Sequence, residues 1–342
     1  MTKLFIIGNG FDLAHKMNTR YSDFRKFLTN KGKEHDNFKE DIYYNEIPAP
    51  TLTSDGEEVY NPLDRLNAIL TCVDNTNGDI EWNKFEENLG KLNYECLLNP
   101  YVGDNDEKLG YKIERNENNA RNIKNVLGMI PLYFQEWVKA IKIAEEPLDD
   151  IVSLINPKSD LFLTFNYTDT LERLYNVENV CHIHGNKDES LYVGHGENIF
   201  DPDNDYSTYF SGSEYDLRQL HEHLRKNTDE AFKKHSSFFG KLREVANKDS
   251  LIIYSYGFSF SKVDRFYLEQ IFSIIDSTNI CFMLNEYNDK DNEDFKHILR
   301  ESGFKGIFGK YSIIIPKNYP FRKGLFKDYQ YPEFKDKKND KD

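Results

Sequence analysis

Residues 4–12, LFIIGNGFD, decide how this chain folds. Four consecutive apolar residues predict a strand buried on both faces, as in parallel sheets that helices cover on each side. Two glycines, Gly8 and Gly10, follow the strand at once, and a helix can begin after them. A buried strand, a glycine turn and a helix in this order open an α/β unit.

Five further apolar runs have the same continuous character, at residues 161–164, 180–183, 251–254, 280–284 and 312–315. Segments with helical spacing lie between them, at residues 21–28, 168–175, 263–275 and 291–302. Alternating strands and helices are typical of a parallel sheet. The sequence therefore predicts an α/β, Rossmann-like fold with a mainly parallel sheet flanked by helices and with large helical insertions.

The predicted strands are spread unevenly along the chain. We predict a Rossmann-like core from residues 1–30 and 158–320, interrupted by a mainly helical insertion at 31–157. Within that insertion, Pro131 is expected to start or bend a helix. Residues 200–248 form a second, mainly helical insertion, and residues 335–342 a charged tail.

Composition excludes several classes of protein. The 342 residues include 44 Lys and Arg against 58 Asp and Glu, which gives a net charge of −14 and disfavours general nucleic-acid binding. No apolar stretch is long enough to span a membrane, and the N-terminus lacks the core of a signal peptide. The four cysteines have no metal-knuckle or disulfide spacing, so we expect reduced thiols in a cytoplasmic protein without membrane contact.

Chemistry could occur first at the glycine turn. Backbone N–H groups of Gly8 to Gly10 can approach a phosphate, although a tight strand-to-helix turn explains the same residues. Leu13 stands where the usual dinucleotide fingerprint has its third glycine. Asp12 either caps the helix or contacts a ribose hydroxyl, because a carboxylate would repel a pyrophosphate.

Two further positions follow other predicted strands. Asn166 comes after residues 161–164, where α/β enzymes bind ligands, but it can equally cap the next helix. His182 and His184 share one face of a strand at a spacing that metal sites also use. A structural role is the commoner explanation of such a pair, while His184 alone, before Gly185, could act as a base near neutral pH.

Four blocks in order resemble the AbiH family of bacterial abortive-infection proteins: LFIIGNGFDLAH with TRYSDF, LTFNYTDTLE, HIHG, and YSYGFSFSKVD. The same blocks are more distantly similar to the NAD-binding fold of sirtuins and of sirtuin-like NAD hydrolases of phage defence. The resemblance implies that Asn166 and His184 are catalytic. It also implies cofactor-binding roles for Gly8, Asn9, Gly10, Asp12, Thr164, Asp169, Gly257, Ser259 and Asp264.

The four-cysteine zinc module of sirtuin deacylases is absent from this sequence. We therefore expect water rather than an acyl-lysine as acceptor, and a triggered effector that hydrolyses NAD to nicotinamide and ADP-ribose. NAD is then the substrate, and no metal is expected. The resemblance further implies a homo-oligomer and a phage-derived trigger or partner subunit.

Two alternatives stay open at this stage. A metal-dependent hydrolase or nuclease could use His182, His184 and His195 with Glu197 or Asp201. The chain could also be a non-catalytic, nucleotide-binding phage sensor. Metal analysis separates the first alternative from NAD hydrolysis, and an NAD turnover assay separates the second.

Overall fold

The computed structural model describes residues 2–34, 51–52, 54–55, 58–59, 61–74, 80–92, 109–196, 211–248, 251–286 and 291–312. The strands are β1 (Thr2–Ile7), β2 (Thr51–Leu52), β3 (Glu58–Val59), β4 (Leu161–Thr164), β5 (Val180–His182), β6 (Leu251–Tyr256), β7 (Cys281–Asn285) and β8 (Ile307–Tyr311).

Six of these strands form one sheet, in the order β5-β4-β1-β6-β7-β8, and every neighbouring pair is parallel. The central strand β1 pairs on both sides, with Leu4 opposite Leu161 and opposite Ile253. Counted along the chain, this order is 3-2-1-4-5-6, which is that of the doubly wound dinucleotide-binding fold. The predicted Rossmann-like fold class is confirmed.

The helices are α1 (Gly10–Ala14), α2 (Tyr21–Gly32), α3 (Pro62–Asp74), α4 (Trp82–Leu89), α5 (Leu109–Leu127), α6 (Ile130–Ala140), α7 (Asp149–Leu154), α8 (Thr170–Tyr175), α9 (Glu214–His223), α10 (Thr228–Lys234), α11 (Ser236–Lys248), α12 (Arg265–Ile274) and α13 (Asn292–Glu301). Pro131 lies in the first turn of α6, where its missing N–H costs nothing, so the predicted helix start is confirmed. Among the described residues, no helix has the length and apolarity needed to cross a membrane.

Apolar side chains cover both faces of the sheet, which explains the continuous apolar runs. On one face, Leu4, Ile6 and Ile253 pack against α11 and α12. On the other, Phe5 and Ile7 pack against residues of α1, α7 and α8.

A third core is built from helices alone. It joins α2, α3, α4, α5, α6 and α9 around buried residues such as Phe24, Phe85 and Phe134. Between β1 and β4, the described strands are only β2 and β3, which pair antiparallel outside the main sheet. The division into a core and two insertions stays a prediction.

The last strand differs from the sequence prediction. The strand runs over Ile307–Tyr311, and Ser312 follows it, whereas residues 313–315 of the predicted run lie outside the described residues. Because β8 is an edge strand, it carries Gly309, Lys310 and a half-exposed Ile307 instead of a continuous apolar run.

Candidate functional site

The direction of strand addition reverses between β1 and β6, which makes the carboxyl ends of these two strands the switch point of the sheet. In open parallel sheets, ligands bind outside the carboxyl ends of the strands at this switch point. The residues after β1, β4, β5 and β6 begin with Gly8, Phe165, Ile183 and Gly257. Most predicted site residues therefore lie at one edge of the sheet.

The turns after β1 and β6 contact each other at the switch point. The Gly8 amide donates a hydrogen bond to Tyr256 O and the Gly10 amide to Gly257 O, both at 3.0 Å. A Cβ on Gly8 would lie 2.5 Å from Gly257 O, and Gly257 itself has φ +61°. The close approach of two backbones thus accounts for these glycines. Their role in holding a pyrophosphate stays a prediction, which requires this contact to open.

Asn9 lies between the two glycines and serves as the N-cap residue of α1 without capping it through its side chain. Its Nδ2 instead donates to Thr19 O at 3.0 Å. The side chain therefore tightens the turn from β1 into the next segment.

Asp12 is a buried carboxyl held by two hydroxyls. Thr168 Oγ1 donates to Oδ2 at 2.6 Å and Thr170 Oγ1 to Oδ1 at 2.9 Å. Burial raises the pKa of Asp12 to about 6, and the hydrogen bonds from Thr168 and Thr170, with the nearby amide of Asn166, only partly offset this. Asp12 lies within α1 and is not its N-cap residue. Because its pKa is about 6, it can give or accept a proton near that pH.

Asn166 contributes an unsatisfied donor at the same place. Its side chain lies beside Asp12 without closing a hydrogen bond of normal geometry, and its buried Nδ2 has no partner among the described residues. The backbone N–H of Asn166 donates to Thr164 Oγ1 at 3.1 Å. Thr164 therefore stabilises the turn after β4. The helix α8 begins later, after Asp169, so Asn166 is not its cap.

His182 is held between β4 and α8. Its Nδ1 lies 3.1 Å from Asn166 O, and its Nε2 lies 2.7 Å from Glu172 Oε1. Burial acts to lower its pKa, but the hydrogen bond and charge of Glu172 outweigh burial and raise it. Both ring nitrogens are engaged, which gives His182 a structural role behind Asn166.

His184 belongs to a second group of contacts. Its ring is enclosed by Phe165, Tyr167 and Tyr267, with ring centroids 5.1, 6.0 and 5.6 Å away. Nε2 lies 3.2 Å from Asp264 Oδ1 without forming a regular hydrogen bond. Burial lowers the pKa of His184, and Lys226 lowers it further against the opposing Asp264. The lowered pKa favours the neutral form of the imidazole.

The metal alternative finds no support in the part of the chain that the structure describes, where no three metal-ligating side chains come together. His182 and His184 turn to different partners, Glu172 and Asp264. His195 Nε2 lies 2.9 Å from His221 O. The two carboxylates considered, Glu197 and Asp201, lie outside the described residues.

Comparison with known families decides the wider class. Residues 4–285 match the model of the family described as "Bacteriophage abortive infection AbiH". The chain belongs to the AbiH family. No curated protein and no solved structure matches it. The likeness to sirtuins stays a prediction.

Two of the predicted cofactor-binding residues of this AbiH-family chain have other surroundings. Asp169 Oδ2 pairs with Lys187 Nζ at 2.7 Å, next to the start of α8. Ser259 is exposed. The serine that contacts Asp264 is Ser261, whose Oγ donates to Oδ2 at 3.0 Å. The roles of Asp169 and Ser259 toward a nucleotide stay predictions.

Four residues of this AbiH-family site escaped the sequence analysis: Thr168, Thr170, Glu86 and Lys226. The two threonines stand beside Asn166 in the block TFNYTDT, so their spacing could have been used. Lys226 and Glu86 form a buried ion pair at 2.7 Å. Charged residues far apart in sequence give no local signal of such a pair.

Proposed function

We propose that this AbiH-family protein is an abortive-infection effector that hydrolyses NAD at the carboxyl edge of its sheet. The observation that carries the proposal is the position of Asn166, whose buried Nδ2 has no partner among the described residues, beside the buried carboxyl of Asp12. Both lie next to the switch point of a dinucleotide-type sheet. A ribose, with its hydroxyls, is the group that such a donor and acceptor fit.

In the proposed reaction, the oxygen of water bonds to the ribose carbon that carries nicotinamide. The bond from that carbon to the ring nitrogen breaks, and the nitrogen keeps the electron pair, so that nicotinamide leaves neutral. The water gives up a proton to a base. Asn166 orients the ribose or the water, and Asp12 accepts a hydrogen bond from a ribose hydroxyl.

His184 is the proposed base, and its lowered pKa favours the unprotonated form. Its ring is enclosed, and the turns after β1 and β6 touch. A substrate would reach these groups only after this contact opens. We expect this closed arrangement to be the low-activity state, which a phage-derived trigger, a partner subunit or self-association opens.

The test uses NAD labelled in its nicotinamide, added to lysates of infected and uninfected cells that produce the chain. Free nicotinamide and ADP-ribose are then measured by mass spectrometry. We expect both products from infected cells, and equally in the presence of EDTA. Bound but intact NAD would instead favour the sensor. Product formation that EDTA abolishes would favour the metal-dependent hydrolase.

A further inference from the structure

The pairing of β4 with its neighbours continues one residue past the strand, to Phe165. Thr164 O accepts the Ile183 amide at 3.1 Å, and the Phe165 amide donates to Ile7 O at 2.8 Å. These two bonds extend the ladders that β4 forms with β5 and β1. The next residue is Asn166, whose carboxamide the proposed function uses. What holds this residue therefore decides where its carboxamide lies.

Two side chains hold the backbone of Asn166. Its N–H donates to Thr164 Oγ1 at 3.1 Å. Its carbonyl oxygen lies 3.1 Å from His182 Nδ1. Because a carbonyl oxygen only accepts, the ring nitrogen carries the proton in this contact. Both polar groups of the Asn166 backbone are thus bonded to side chains at the ends of β4 and β5.

Thr164 and His182 stand opposite each other in the sheet. They are register partners at the last paired position of β4 and β5. Both residues are buried. The His182 ring is also held from its other side by Glu172, whose Oε1 lies 2.7 Å from Nε2. Asn166 is therefore held by two buried strand residues and not by other parts of the loop.

The side chain of Asn166 differs from its backbone in having a free donor. Its buried Nδ2 has no partner among the described residues, and the side chain lies beside the Asp12 carboxyl. Buried polar groups are nearly always hydrogen-bonded, so an unsatisfied one requires an explanation, such as a role toward a ligand. A backbone fixed on both sides with a free carboxamide is the arrangement that a preorganised binding group needs.

We propose that Thr164 and His182 are positioning residues, which hold the backbone of Asn166 and so direct its carboxamide to the substrate. The proposal rests on the proposed function, in which Asn166 orients the ribose or the water. It gives Thr164 a different role from the direct cofactor contact that the resemblance implies. A displacement of an orienting group by about 1 Å can lower a rate by about 10²-fold, so the two bonds should matter for turnover.

Two substitutions of His182 separate its two contacts. In His182→Asn, the amide nitrogen of the shorter side chain stands near the position of Nδ1 and can still donate to Asn166 O. In His182→Gln, the amide nitrogen stands near the position of Nε2 and reaches Glu172 instead. We expect turnover per folded chain to be about 10–100-fold lower in His182→Gln than in His182→Asn.

Thr164 offers an independent pair of variants. Thr164→Ser keeps the hydroxyl that accepts the Asn166 N–H, whereas Thr164→Val keeps the shape of the side chain and lacks the acceptor. Turnover should be lower in Thr164→Val by a similar factor. The matched control is His297, an exposed histidine of α13 whose Nε2 pairs with Glu301 at 3.3 Å. His297→Asn and His297→Gln should hydrolyse NAD at equal rates.

Turnover is measured as nicotinamide released from NAD in lysates of infected cells, well below the melting temperatures of the purified variants. The rate is divided by the amount of folded chain. A purely structural role predicts equal rates for all folded variants, because it changes only the fraction that is folded. Equal rates within either pair would overturn the role of that residue. If one variant fails to fold, the other pair decides.

A second readout needs no substrate. In the full chain with isotope-labelled asparagine, Asn166→Ala assigns the NMR signal of the Asn166 side-chain amide. Both His182 variants lack the imidazole ring, so a difference between them reports the bond to Asn166 O. We expect the signal to be displaced in His182→Gln relative to His182→Asn, and in Thr164→Val relative to Thr164→Ser. Equal signals would overturn the proposal, whereas the expected displacement without NAD turnover by the wild type refutes only the proposed reaction.

Discussion

A Cβ atom on Gly10 would lie 2.5 Å from the Cα of Gly257, the residue that follows β6. The two turns therefore meet backbone to backbone at the switch point of the sheet. This contact lies where a doubly wound sheet binds its ligand. Opening it is the step on which ligand entry depends in our account.

Gly10→Ala should destabilise the protein by about 1–3 kcal/mol, the usual range for overpacking, because the added carbon meets fixed backbone. The free energy of unfolding in urea measures this. Gly240→Ala is the matched control, since Gly240 lies within α11 with nothing within 4 Å of its added Cβ. That variant should gain about 0.5–1 kcal/mol from helix propensity. Equal effects of the two substitutions would contradict the close contact.

The buried Asp12 should make the folded protein less stable as the pH rises through the acidic range. Its folded pKa, about 6, exceeds the ordinary value of 3.8, so between these values the native state binds more protons than the unfolded state. Between pH 4 and pH 7, the free energy of unfolding of the wild type should therefore fall by up to about 3 kcal/mol relative to that of Asp12→Asn, at 1.36 kcal/mol per pKa unit. Urea unfolding of both proteins across this range checks it. A constant difference would refute the raised pKa.

The stability that the His182–Glu172 pair contributes should also fall as the pH rises, but over a higher pH range than for Asp12. The pKa of His182 is raised by Glu172 above its unfolded value of 6.5, so the stabilisation is complete below that pH and is lost as pH rises through the folded pKa. Glu172→Gln should therefore be most destabilising in mildly acidic solution. Thermal melts from pH 5 to pH 9 measure the difference. If Glu172→Gln lost more stability, relative to the wild type, at higher pH, this pairing would be excluded.

The sheet was predictable because burial on both faces leaves a continuous apolar run in the sequence. This argument located β1, β4, β5, β6 and β7 to within two residues at either end. It failed at β8, where an edge position allows Gly309 and Lys310. The helix spacing likewise indicated α2 and α13, because each buries one side only.

The site was predictable only where residues sit next to a strand end. Asn166 and His184 were placed at the correct edge by their positions after apolar runs. Lys226 and Glu86 could not be found this way, since a charged residue in a helical segment is normally solvated and only tertiary packing buries it. The spacing of the family resemblance indicated Ser259, whereas the serine that contacts Asp264 is Ser261.

The burial of His184 also changes how it should be tested. Between Phe165 and Tyr267, an alanine would leave a cavity and remove one of the partners of Asp264. His184→Gln keeps most of the volume, so it is the better variant for activity. Asn166→Ala deletes a donor that has no partner in the described part of the chain, and we expect this variant to fold normally.

The most direct test of the central claim is the cellular NAD concentration after phage infection, together with phage yield, in cells that produce the wild type, Asn166→Ala or the exposed control Asn118→Ala. Thermal melts of the purified variants confirm that they fold. We predict that NAD falls and phage yield drops with the wild type and with Asn118→Ala, and that neither occurs with Asn166→Ala. Full protection by a folded Asn166→Ala variant, with NAD unchanged, would contradict the account.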